Sequence, residues 1–374
     1  MQRAVRWAKY LPDHGFQVYV VCNNHEGLME RTERIIPIES RASLLERVMP
    51  YNDRLPWVPH AVQACEELIS RVPISAVIST SPPPATHLAA LSLKKRKDIP
   101  WVADFRDPLL GNPARNKLWG RPYDAILQRR ILSSADAVTA VSDVMAEAWR
   151  RKYKHRADKL SVIWNGFDAQ DGIGPAEIPR RDTKILLHAG VLYQGRHPFQ
   201  LIGSLRRLFE KGKLSPAQVT LRLVGPVENE QVLRSHPDAA ALLEIGSLDL
   251  QSSLVPRSEA IHMTARADYL LLLDLTNESN AGYTVPAKLY EYILVGRPIL
   301  AITAPQSPVE RILEKSGVPY TCLHPGDSAG QVDEKMCRFL ATPNCPTTPS
   351  DWFVENFDGS RQVKLLVSIL NRLT

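Results

Sequence analysis

The sequence predicts an α/β protein built as two doubly wound domains facing a cleft. Three observations predict it. Strand-like and helix-like segments alternate along nearly all of the chain, the pattern of parallel sheets covered by helices on both faces. The alternation runs twice, with a polar, glycine- and proline-bearing stretch between the two runs. A chain of 374 residues is long for one core and natural for two.

The first run opens on a helix over 2–13, with Val5, Ala8 and Leu11 on one face, closed by His14-Gly15. Gln17–Cys22 and Arg34–Ile38 read as strands, 39–59 as irregular, and Ala61–Val72 as a helix. Ala76–Thr80 is a buried strand that runs into Ser81 and three prolines. Helices over Ala85–Lys97, Tyr123–Leu132 and Asp143–Lys152 then alternate with strands over Trp101–Phe105, Asp136–Val141 and Leu160–Trp164.

The opening departs from the pattern. A doubly wound domain starts with its central strand and a glycine-bearing turn, whereas this chain starts with the helix. Either the fold lacks that strand or the natural chain begins upstream of Met1. The second is the expectation, because a lost central strand leaves unpaired backbone groups on both its neighbours.

Asn165-Gly166-Phe167-Asp168 is a turn signal. The expected organisation is a first domain over 1–168, a linker over 169–183, a second domain over 184–357 and a terminal helix within 358–374 that crosses back to the first domain. In the second run, strands over Lys184–His188, Val219–Val224, Leu242–Ile245 and Tyr269–Asp274 end in Gly190, Gly225, Gly246 and Asp274. Helices over His197–Lys211 and Arg257–Arg266 lie between them. Tyr283–Ala301 reads as a loop, a short helix with Pro286 in its first turn and Thr284 placed to cap it, a stop at Gly296, and a buried strand. A helix over Val309–Ser316, a strand over Tyr320–Leu323, a helix over Val332–Leu340 and an amphipathic helix over Arg361–Leu373 finish the chain.

Composition is that of a soluble protein, 44% hydrophobic and 23% charged. No run approaches the roughly 18 apolar residues that span a bilayer. The basic amphipathic start reads as the first helix of a domain rather than as a transit or secretory leader. Five scattered cysteines form no CxxC pair, so the sequence shows no zinc or disulfide framework, and a reducing cytosol fits. Residues 1–168 carry 25 Lys+Arg against 18 Asp+Glu, while the remainder carries 21 against 22. Such a basic half attracts an anionic membrane or a phosphorylated substrate, or is simply a solvated surface. No finger, RNP or helix-turn-helix pattern points to nucleic acid.

Ligands of open α/β sheets bind beyond the carboxyl ends of strands, and a glycine there admits a phosphate close to the backbone. Gly190, with Arg196 just after it, and Lys288 at the helix start read as a diphosphate clamp, with Glu291 left to accept ribose hydroxyls. The alternative for Lys288 and Glu291 is an i,i+3 surface ion pair. No GxxxxGK[ST] or GxGxxG occurs. In the first half Asp104, Arg106 and Asp107 stand at a strand end. They suit a base or a sugar-orienting group, or else cap the next segment and pair among themselves. His188 and His197 bracket the Gly190 loop without metal-ligand spacing.

The segments RAVRWAKYLPDHGFQVYVV, PWVADFRDP, ADAVTAVSDVM, KLSVIWNGFD, ILLHAGVLYQGR, LRLVGP and VPAKLYEYILVGRPILA, in this order, resemble the retaining nucleotide-sugar glycosyltransferases of the GT-B fold, close to family 4. The resemblance implies two Rossmann-like domains facing a cleft. It implies a nucleotide-sugar donor, a saccharide or lipid-linked acceptor, no metal or other cofactor, and a cytoplasmic site at the inner face of the membrane. Glu291 matches the second glutamate of the family's E-x7-E donor motif, and Tyr283 stands in place of the first. With Thr284, Tyr283 falls in the segment that meets the donor sugar and phosphates. Arg196 takes the place of a diphosphate-binding lysine. Arg106 occupies the position of the active-site histidine, with Asp107 beside it. Two other readings share the fold: a non-hydrolysing nucleotide-sugar epimerase and a non-catalytic binding protein.

Overall fold

Every strand pairing in the computed structural model is parallel among the described residues, which are 2–24, 32–39, 49–112, 115, 117–192, 197–274 and 285–374. The chain divides into two units. One runs to Asp168 and takes back Asn356–Thr374; the other, among the described residues, holds 169–192, 197–274 and 285–355, including the stretch expected as a linker.

In the first unit β1 (Val20–Asn23) pairs only with β2 (Ile35–Ile38) among the described residues. A separate sheet runs in the order β3 (Val77–Ser81), β4 (Trp101–Phe105), β5 (Ala137–Ala140), β6 (Leu160–Val162). Between β1 and β3 lies an apolar cavity of about 510 Å³, lined by Val20, Val21, Val77 and Ile78. Trp7 and Leu11 line it from the first helix, and Ala61 and Leu93 from the helices Trp57–Ile69 and Ala85–Lys97. Strands thus line two of its sides and helices the others.

The first helix, Gln2–Tyr10, corrects one expectation. Val5 is 57% exposed, and the buried face is Arg3, Arg6, Trp7, Tyr10 and Leu11. The arginines go inward because their heads find partners. Arg3 donates to Asp104 Oδ1 (2.7 Å) and to the Ile163 carbonyl (2.6 Å), and Arg6 donates to the Gly166 carbonyl. Asp104 sits mid-sheet, in register with Thr80 on β3 and Thr139 on β5, and both hydroxyls donate to it. The terminal helix, Gly359–Leu373, packs Val363, Leu366, Ile369 and Leu370 against Trp7, Tyr10 and Leu11.

The second unit is a six-stranded sheet in the order β12, β11, β10, β7, β8, β9 among the described residues. These strands are β7 (Lys184–Ala189), β8 (Val219–Val224), β9 (Leu248–Gln251), β10 (Tyr269–Leu273), β11 (Ile299–Ile302) and β12 (Tyr320–Leu323). β10 and β11 are wholly buried, as an apolar run covered on both faces requires. The order grows one way from β7 and the other way from β10, so the topological switch point lies between them. A strand expected over Leu242–Ile245 is instead the end of a helix, Pro237–Glu244, and the strand is the alternating Leu248–Gln251. Pro237 presets the first helical turn, and a short apolar run does not by itself distinguish a buried strand from a helix. Gly246 therefore ends no strand.

Candidate functional site

In the second unit the switch point gathers chemistry at the carboxyl ends of β7, β8 and β10. Gly190 follows β7 and Gly225 follows β8. Gly190 N–H donates to the Val224 carbonyl (2.6 Å), and Leu192 N–H to Pro226 (2.9 Å), so the two exits run side by side. Gly225 has no room for a side chain: a Cβ there would lie 2.8 Å from the Gly190 carbonyl.

Helix Ala287–Val295 follows β10 in the chain and is pinned to the end of β7. Leu289 and Ile293 are buried, and the buried Tyr292 hydroxyl accepts the Ala189 N–H (3.4 Å). Burial also raises the Tyr292 pKa, so the hydroxyl stays neutral. Gly296, at φ +70°, ends the helix with its N–H shared between the Tyr292 and Ile293 carbonyls (3.1 Å each). Pinned so, the helix start lies beside Gly190, and the Lys288 ammonium occupies the place that a Gly190 Cβ would take. The first-turn N–H groups and the helix dipole add positive potential at the same point.

Glu291 lies one turn on. It pairs with Arg257 (2.8 Å), which also reaches Asp171 (3.3 Å). Of the two readings for Lys288 and Glu291, the ion pair formed by Glu291 is thus with Arg257, and Lys288 turns to Gly190. Asp274, just past β10, accepts from Thr303 Oγ1 (2.8 Å), and His188 Nδ1–H donates to the Leu271 carbonyl (2.9 Å). Arg196, Tyr283 and Thr284 lie outside the described residues.

In the first unit Arg106 and Asp107 follow β4. Arg106 braces the neighbouring strand end, donating to the Ser81 carbonyl (3.2 Å) and the Pro82 carbonyl (2.6 Å). Asp107 has its pKa raised to about 6 by burial, against the opposing pull of the Arg106 charge. Asp104 takes no part at this rim: it is fully buried under Arg3.

Arg257 and Tyr292 were not singled out from the sequence. Tyr292 carries a weak signal, a tyrosine at a buried helical position. Arg257 carries none, since it meets Glu291 across 34 residues of chain.

Residues 2–171 match the family model described as Glycosyltransferase Family 4. The first unit is thus similar to that family, and the chain has the GT-B fold. Similar solved structures include a sucrose-phosphate synthase from Thermosynechococcus elongatus, at TM-score 0.60 and 14% identity, covering 98% of this chain and 90% of that one. A glycosyltransferase from Rickettsia africae matches at TM-score 0.60 and 14% identity, with 100% and 94% covered. Anabaena HepE in complex with UDP-glucose matches this GT-B chain at TM-score 0.57 and 17% identity, with 90% and 86% covered. No curated protein matches the chain. The family match over the first unit supports glycosyl transfer as the reaction class, and the neighbours show the fold.

Proposed function

We propose that the protein moves a sugar, with retention and without a metal, from a nucleotide-sugar donor to a saccharide or lipid-linked acceptor. The setting is cell-surface polysaccharide or glycolipid synthesis at the cytoplasmic face of a membrane. The observation that carries the reading is the Lys288 ammonium over Gly190 at the switch point of the second unit. A diphosphate laid there meets a glycine backbone, a lysine and a helix start together.

In this reading Glu291, steadied by Arg257, accepts the ribose hydroxyls. The bond from the anomeric carbon to the donor phosphate breaks, and a bond to the acceptor oxygen forms on the same face. The acceptor proton passes to the departing phosphate. Lys288 and the helix start stabilise the charge that grows on that phosphate, which is where electrostatic catalysis gains most. Arg106 and Asp107 belong to the acceptor side, positioning the hydroxyl.

The test is calorimetry with nucleoside diphosphates, UDP first because the similar Anabaena protein was solved with UDP-glucose. Lys288→Ala and Glu291→Ala each weaken binding while the fold survives; unchanged affinity in both overturns the assignment. Turnover of nucleotide sugar with no acceptor present would replace transfer by epimerisation.

A further inference from the structure

The first unit carries an unusual surface on the chain before and along helix Arg121–Ser134. Leu118 is 73% exposed, Trp119 60% and Ile126 70%, three large apolar side chains within nine positions of one another. Apolar side chains exposed together mark an interaction surface rather than chance. The helix explains Ile126. It buries Asp124, Leu127, Gln128, Ile131 and Leu132, and so turns Ile126, Arg129 and Arg130 outward. Its one acid, Asp124, faces inward and is neutralised by Arg115.

Cations flank these apolar residues along the chain, with Lys117 before Leu118 and Arg129 and Arg130 after Ile126. The Lys117 ammonium stands 5.8 Å from the centre of the Trp119 ring. Arg129 and Ala125 form one side of a hollow whose other side is the basic turn 151–156, which contributes Arg151, Lys154 and Arg156. The helix Asp143–Lys152 runs into that turn and adds Arg150 and Lys152 in its own last turn.

We propose that this face, 117–130 together with 151–156, docks the protein on an anionic bilayer. The inference rests on the membrane-side reading above and names the surface that would serve it. Leucine, tryptophan and isoleucine at the tips suit insertion at the level of the headgroups, while the surrounding arginines and lysines meet anionic phosphates. Nucleic acid fits less well, because Trp119 is the one exposed ring of the three tips and Leu118 and Ile126 offer no surface on which a base stacks.

The experiment is cosedimentation of the full chain with phosphatidylcholine vesicles, with and without phosphatidylglycerol. Binding is expected only with the anionic lipid, and it falls in high salt. Arg129→Glu with Arg130→Glu weakens it by about tenfold or more, and so does Leu118→Ser with Trp119→Ser. Lys95→Glu with Lys97→Glu, charges of equal number on another helix, changes it little. Vesicle binding that the first two pairs leave intact, or that the Lys95/Lys97 pair weakens as much, overturns the proposal. So does retention on a DNA oligonucleotide with none on vesicles. Circular dichroism checks that the variants fold. Nucleotide calorimetry on the same variants stays at the parent value, so a failure here is distinguishable from a failure of the donor reading.

Discussion

The Nζ of Lys288 lies 1.4 Å from the position that a Cβ on Gly190 would occupy. Lysine and glycine are therefore matched. The missing side chain at 190 leaves the space that the ammonium fills. Gly190→Ala moves the ammonium away, which a flexible side chain permits, and it also holds a Cβ at φ +152°. The expected result is a loss of nucleoside-diphosphate affinity of at least about tenfold, or 1.4 kcal/mol. The backbone conformation costs a further 1–3 kcal/mol or so of stability. Calorimetry reads the first and urea denaturation the second. An alanine variant that binds donor as the parent does would separate Gly190 from the donor site.

Glu291 and Arg257 form a pair in which the arginine is about half exposed and the glutamate less so. Such a pair contributes little to stability, of order 0–1 kcal/mol. Its worth lies in orientation. Glu291→Ala is expected to leave the melting temperature nearly unchanged and to weaken donor binding by about tenfold, the effect of losing a charged hydrogen-bond acceptor. Arg257→Ala weakens binding less, since Glu291 keeps its oxygens but loses its brace. If both variants lose stability and neither loses affinity, the pair is structural.

These two sites differ in how much the chain revealed of them. Gly190 and Lys288 stand out because each lies at an element boundary, where glycine, proline and charge have local causes. Glu291 stood out through a family pattern. Arg257 and the Arg3–Asp104 pair were invisible, because the partners lie 34 and 101 positions apart and no local rule joins them. Buried strands such as Tyr269–Leu273 were legible, since an unbroken apolar run too short for a helix and ending at Asp274 suits a covered strand. The apolar run at 242–245 was not, because its surroundings decide between helix and strand. Val5 misled for a related reason. Apolar spacing identifies a helix, but arginines with buried partners chose which face turned inward.

Asp107 gives a pH test. Its carboxyl is raised from 3.8 in the unfolded chain to about 6 in the folded one, chiefly by burial. Between those values the folded state binds more proton than the unfolded state, so stability falls as pH rises through the window. Above pH 6 the buried charge costs of order 1–3 kcal/mol. Asp107→Asn removes that cost. The variant is expected to melt higher than the parent at pH 8 and no higher at pH 4. If Asp107 also positions the acceptor, the parent's rate carries a limb near pH 6 that the asparagine variant lacks. Equal melting differences at both pH values would show that Asp107 titrates normally.

Arg3 and Asp104 form the most deeply buried ion pair of the first unit among the described residues, with side chains 3% and 0% exposed. The attraction between them is offset by the cost of taking both from water, so the pair as a whole adds little. Removing one partner is a different matter. Arg3→Ala leaves the Asp104 carboxylate beneath the sheet with Thr80 and Thr139 donating to it and no cation. That loss costs about 3–5 kcal/mol. Val5→Ser, two residues away on the exposed face, stays within about 0.5 kcal/mol of the parent. Asp104→Asn combined with Arg3→Met keeps the volume, leaves no bare charge, and is expected to recover most of the loss. Urea midpoints for the four proteins test the argument. If Arg3→Ala cost no more than Val5→Ser, the first helix would not be held by its arginine, and the apolar contacts of Trp7 and Leu11 would have to carry the docking alone.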